Sequence, residues 1–90
     1  MLTDSIVNFY EHLVFNNIET TLVSAGKVAT RDMVLDIACL ALNRLPARYI
    51  RHHVDAIFYI SDQEMEKMLA DVEAAVQAGH AIVVSNPRGT

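Results

Sequence analysis

The chain has one cysteine, Cys39, so neither a disulfide framework nor a cysteine-rich metal site can be built. Its three glycines stand alone, which excludes a P-loop and a G-x-G-x-x-G turn for cradling phosphates. The histidines His12, His52, His53 and His80 lack the spacing of a metal-binding helix, and adjacent His52 and His53 would face opposite ways on an extended segment. No apolar run approaches the ~18–20 residues needed to span a bilayer, and residues 1–4 carry no basic head of a secretory signal. A cytoplasmic protein is the expectation. Positive charge is also scarce: seven basic against eleven acidic side chains give a net charge of −4. Binding to generic DNA or to an anionic membrane surface, both of which rely on dense positive charge, is therefore not expected.

What the chain does have is apolar content, 52% spread evenly over 90 residues, which argues for one packed domain across residues 1–90. A domain of this size buries only about 60–65% of its unfolded surface, and self-association is a common remedy. The few basic residues cluster: Arg31, Arg44, Arg48 and Arg51, four of the seven, lie within residues 31–51, while acids concentrate in residues 62–73. A local anion site on an acidic protein is compatible with that pattern.

The chain is organised around residues 33–49, MVLDIACLALNRLPARY. From Met33 to Leu42 the only charge is Asp36, so the pattern predicts a helix surrounded by other elements, a central post with Cys39 as a buried, inert small hydrophobe. Pro46 then stops it, having no N–H to give and biasing Leu45 away from the helical region. Asn43, Arg44 and Arg48 are thereby gathered where a buried helix breaks, with carbonyls and charges that need partners.

On either side of the post the readings are more ordinary. Thr3, Asp4 or Ser5 is expected to cap a first helix reaching about Ser24, with Val7, Tyr10, Val14, Ile18 and Leu22 on one stripe and Ile6, Phe9 and Leu13 widening it. Gly26 marks a connection, and Thr30 is a good N-cap for the central helix. The β-branched and aromatic residues of Asp55–Tyr59 suggest a strand. Ser61-Asp62-Gln63-Glu64 has the form of a capping box for a third helix, a surface helix with Met65, Met68, Leu69, Val72 and Val76 as its stripe. Gly79 is placed to end it, residues 81–85 to form a second short strand, and residues 86–90 to be a tail of turn formers, mobile at its tip. The fold class expected is α+β, mainly α: three helices and one or two short strands, paired into a homodimer around the central helix.

At the polar stop the residues alone leave two readings open. Asp32, Asp36 and Asn43 fall near one line of the helix with Arg44 at its edge. In one reading Asp36 pairs with an arginine and Asn43 caps the broken carbonyls. In the other, Arg44 and Arg48 present planar guanidinium groups to a planar anionic ligand, with Tyr49 available to stack.

The run ALNRLPARYI, after an apolar helix and before an amphipathic one, resembles the late competence protein ComFB family of bacteria. The resemblance spans residues 7–87, and Asn-Arg-Leu-Pro is an unusual way to end a buried helix. It implies a non-catalytic homodimeric receptor for a cyclic dinucleotide, chiefly cyclic di-GMP and in some members cyclic di-AMP, that signals to a downstream protein. The implied ligand residues are Asn43, Arg44, Leu45, Pro46 and Tyr49, together with Arg48, at a position that varies. Leu45 and Pro46 would shape the turn, Asn43 and Arg44 would contact phosphate or base, and Asp36 would accept from a guanine edge or hold Arg44. Some members bind a structural zinc through cysteines just before the central helix; here Lys27, Val28, Ala29 and Thr30 stand there, so the zinc is not carried over. The rival expectation is a dimeric adaptor with no nucleotide ligand. An enzyme such as a phosphodiesterase is remoter, because no metal cluster or base suited to phosphoryl hydrolysis is visible in the sequence.

Overall fold

Asn8 decides where the first long helix begins. In the computed structural model, which describes residues 2–86, Asn8 Oδ1 accepts from the Tyr10 amide at 3.2 Å and caps α1, Phe9–Ser24. The cap is therefore not at residues 3–5: Leu2–Ser5 form a 3-10 turn and Val7–Asn8 a short strand, β1. The cause is a partner 42 or so residues away in sequence. Strand β2, Tyr49–Ile50, pairs antiparallel with β1, Val7 opposite Ile50 and Asn8 opposite Tyr49. That pairing holds residues 7–8 extended.

Along α1 the buried residues Phe9, Tyr10, Leu13, Val14, Ile18 and Leu22 form the stripe that the periodicity predicts, while Ile6 lies outside the helix and is exposed. The helix closes with the Lys27 amide on Leu22 O at 3.0 Å and the Gly26 amide on Val23 O at 3.1 Å. This is a Schellman ending, and it places Gly26 at φ +70°, where a side chain would be strained. Next, α2, Arg31–Leu42, starts as expected: Thr30 Oγ1 accepts from the Met33 amide at 3.2 Å.

The surrounded post is a correction. Only Ile37, Ala38 and Ala41 of α2 are buried, whereas Leu35 and Cys39 are exposed. Among the described residues there are two other long helices, α1 and a later one over residues 62–85, and both pack on one side of α2. The other side, Cys39 included, faces outward.

A second correction concerns Asp55–Tyr59, which is a short helix, α3, and not a strand. Local bonds close it: the His52 amide donates to Asp55 Oδ2 at 3.2 Å, and the amides of Asp55 and Ala56 return to His52 O and His53 O at 2.9 and 3.1 Å. With β2 already paired to β1, no strand adjoins this segment. Ile57, Phe58 and Tyr59 are consequently 70–76% exposed.

The third correction is the longest helix, α4, Asp62–Ser85, which absorbs the strand expected at residues 81–85. Ser61 Oγ caps it by accepting from the Glu64 amide at 3.1 Å. Gly79 does not end it. A Cβ there would sit 3.2 Å from Ile37 O and 3.3 Å from Leu40 Cβ, so the glycine lets α4 approach α2 closely at this point. Met68, Val72, Ala75, Val76 and Gly79 are buried and Leu69 is not, so α4 is a core helix rather than a surface one. The tail expectation for residues 87–90 lies outside the described residues.

Helices α1, α2 and α4 pack against one another, with Val14, Ile18, Leu22, Ile37, Val72 and Val76 at the centre. The small sheet closes one end. Four α-helices and one two-stranded sheet among the described residues give the mainly helical α+β class. None of these helices is long and apolar enough to cross a membrane.

Two expected outcomes test this packing. Asn8→Ala removes both the α1 cap and an acceptor for the Arg48 amide, at 2.9 Å, and should cost about 1–2 kcal/mol in urea denaturation. An unchanged midpoint would show that the sheet and helix start need no such anchor. Gly79→Val should cost about 1–3 kcal/mol, because branching at Cβ forces α4 off Ile37 and Leu40. Wild-type stability in that variant would mean the two helices separate freely.

Candidate functional site

At its C-terminus α2 tightens before it stops. The amides of Asn43, Arg44 and Leu45 bond to Cys39 O, Ala41 O and Leu42 O at 3.1, 3.0 and 3.3 Å, which satisfies carbonyls that a sudden break would strand. Asn43 thus closes the helix through its backbone, and its side chain is exposed. Pro46 follows immediately and prevents continuation. The result is a bent turn whose side chains project over α4.

Arg44, Leu45 and Pro46 line a cleft of about 230 Å³ whose opposite wall is Asp71, Ala74 and Ala75 of α4. Arg44 is exposed, while Leu45 is partly buried and packs on the core. Ala74, Ala75 and Pro46 leave room in a lining that is mainly polar, and its two charged groups are of opposite sign. Such a cleft suits a flat polar group with acceptors on one edge and donors on the other.

Arg48 is positioned differently. Its Nη2 donates to Tyr59 O at 3.0 Å and stands 3.5 Å from Glu64 Oε1. The Arg48 main chain accepts from the Phe9 amide at 2.7 Å and donates to Asn8 Oδ1 at 2.9 Å. One residue therefore ties β2 to the start of α1 and to the junction of α3 with α4. Its Nε is buried without a hydrogen-bond partner, a polar atom available to a rearrangement or to a ligand. Glu64, expected to complete the capping box, has its carboxylate turned toward Arg48. Because this ion pair is over a third exposed, its own worth is about 0–1 kcal/mol.

Tyr49 sits on β2 beside Arg48 and is 61% exposed, which leaves it accessible for stacking. Asp36 lies about two turns back along α2 and borders two other grooves, one with Lys27, Thr30, Asp32 and Met33, the other with Cys39, Leu40 and Ile82. It shares no cleft with Arg44. Of the seven residues singled out in the sequence, Arg44, Leu45 and Pro46 come together; Asn43, Arg48 and Tyr49 flank them; Asp36 lies apart.

Sequence reasoning missed Asp71, Ala74, Ala75 and Tyr10. Tyr10 is buried, and its hydroxyl is pushed above the usual phenol range, first by burial and then by the negative charge of Asp71. Asp71 Oδ2 accepts from Lys67 Nζ at 2.7 Å one helical turn away, and that bond raises the Lys67 ammonium pKa. The available signal was spacing: Ala74 and Ala75 stand three and four residues after Asp71, which puts small side chains on the same helix face as its carboxylate.

A second group forms at the far side of the sheet, where His12 and His53 meet edge to face at 5.1 Å between ring centroids, with Phe9 alongside. His53 belongs to a turn rather than to an extended segment. Among the described residues no group of three or more His, Cys, Asp or Glu side chains is placed to hold a metal ion.

No curated protein matches the chain. The family model for the late competence development protein ComFB matches residues 7–87, a span that takes in β1, the three long helices and the whole Asn43–Tyr49 turn. With nine-tenths of its length inside that match, the chain belongs to the late competence development protein ComFB family.

Proposed function

We propose that this protein is a non-catalytic cytoplasmic receptor for a cyclic dinucleotide, cyclic di-GMP first and cyclic di-AMP second, and that it acts as a homodimer on a downstream protein. The observation carrying this reading is the open cleft at the turn after α2, where Arg44 stands exposed across from Asp71, with Ala74 and Ala75 between them in the lining. Arg48 in the same turn is engaged by Tyr59 and Glu64, whereas the Arg44 side chain is exposed at the cleft. Arg44 bonds phosphate or the guanine O6 and N7 acceptors, and Tyr49 offers a flat ring a short way along the chain.

Support for self-association comes from the apolar surface that one chain leaves outside: Leu35, Ile57, Phe58, Ile82 and Val84 are all exposed. Ligand occupancy reaches a partner only if it binds two packings of the dimer with different affinity, and the acidic outer face of α4 is the surface offered to that partner.

Isothermal titration of the purified chain with cyclic di-GMP, followed by cyclic di-AMP and GTP, tests the receptor reading. Micromolar or tighter binding to a cyclic dinucleotide, with GTP failing to compete, is the expected result. Absence of heat with every nucleotide would turn attention to the second reading, a dimeric adaptor. That reading draws on the exposed run Val54, Ile57, Phe58 and Tyr59. A thermal shift on adding nucleotide separates the two, because only a ligand of the folded state raises the midpoint.

A further inference from the structure

The cleft beneath Arg44 contains one acid, and it is Asp71 rather than Asp36. We infer that Asp71 reads the Watson–Crick edge of a guanine base seated against Arg44, and so sets a preference for guanine over adenine; this rests on the cyclic dinucleotide reading above.

The chemistry of the two walls supports the assignment. Guanine carries O6 and N7 acceptors on its major-groove edge, which a guanidinium fork matches with two donors. Along its other polar edge it presents the N1–H and N2–H₂ donors, and an ionised carboxylate, which only accepts, is their complement. Adenine presents an acceptor, N1, next to the donor N6–H₂. A carboxylate then gains one bond and meets one lone pair. Lys67 Nζ holds Asp71 Oδ2 at 2.7 Å, which orients the group without exhausting a carboxylate's roughly four acceptor sites.

Size and floor fit a single base. At about 230 Å³ the cleft is smaller than the roughly 300–1,000 Å³ of pockets that enclose whole ligands, so it takes one part of a dinucleotide and leaves the remainder outside. Ala74, Ala75 and Pro46 give an apolar bed with no long side chain to displace.

The test is titration of cyclic di-GMP and cyclic di-AMP into the wild-type chain, Asp71→Asn and Lys67→Ala, with the helical circular dichroism spectrum recorded for each. The wild type is expected to favour cyclic di-GMP. Asp71→Asn should lose roughly 5- to 100-fold on cyclic di-GMP, the discrimination carried by one bidentate base contact, and should hold or gain on cyclic di-AMP, since a carboxamide offers one donor and one acceptor. Lys67→Ala, which removes the ion pair but not the carboxylate, should keep the wild-type preference. A wild type that favours cyclic di-AMP, or an Asp71→Asn variant with unchanged preference, would overturn the assignment and leave the receptor standing. A folded wild type that binds neither dinucleotide would bring down the receptor reading and this inference with it.

Discussion

Arg44→Ala is expected to weaken cyclic di-GMP binding by about 10- to 100-fold, the value of a charge-assisted hydrogen bond or two, while the helical spectrum and melting midpoint stay where they are. The separation of binding from stability follows from where Arg44 sits. Its backbone amide completes the last turn of α2 on Ala41 O, a bond that alanine makes equally well. Its side chain is exposed at the cleft mouth. Arg48→Ala should behave in the opposite way: it removes the bond to Tyr59 O and the neighbour of Glu64, so stability falls first and any loss of binding follows from a loosened turn. Calorimetric titration beside thermal melts of both variants reads the contrast. An Arg44→Ala protein that fails to fold would return the polar stop to a structural role.

Ile18→Ala carries the largest expected cost in stability, about 2–5 kcal/mol, because it empties the point where α1, α2 and α4 meet. Ile18 is fully buried beside Val14, Leu22, Ile37, Val72 and Val76. None of these can collapse into the space without shifting a helix. Against the ~5–15 kcal/mol that holds an ordinary domain together, and at about 4–8 °C per kcal/mol for a chain of this size, the melting midpoint should fall by tens of degrees. Ile6→Ala is the internal comparison. The sequence places Ile6 on the same apolar arc, but it lies before the helix and is exposed, so its removal should change stability by no more than about 0.5 kcal/mol. Comparable losses in the two variants would contradict a core centred on Ile18.

The elements that were legible in the sequence are those whose cause is local. Thr30 and Ser61 announce helix starts because the bond each makes, to the third amide onward, is closed within one turn. Pro46 announces a stop because the constraint is in its own ring. The α1 stripe is visible because 3.6-residue periodicity writes itself into the order of residues. Where the sequence misled, a distant segment had decided the matter. The start of α1 falls at Asn8 rather than at residues 3–5 because the pairing of Val7 and Asn8 with Ile50 and Tyr49 holds that segment extended. Gly79 looked like a helix ending because its real reason, the nearness of Ile37 and Leu40, lies on another helix.

The candidate site divides along the same line. The sequence by itself determined that Asn43, Arg44, Leu45, Pro46, Arg48 and Tyr49 gather at one broken helix, since covalent neighbours cannot be separated, and it carried enough pattern to place the chain in its family. Only the tertiary structure decided that Arg44 faces a cleft while Arg48 is consumed in holding the sheet, because that depends on Tyr59 and Glu64 folding back over the turn. It also decided which acid stands opposite Arg44. Asp36 is the nearer in sequence, but a helix carries it about 1.5 Å per residue away from the turn, whereas α4 returns antiparallel in the chain's path and sets Asp71 across the cleft.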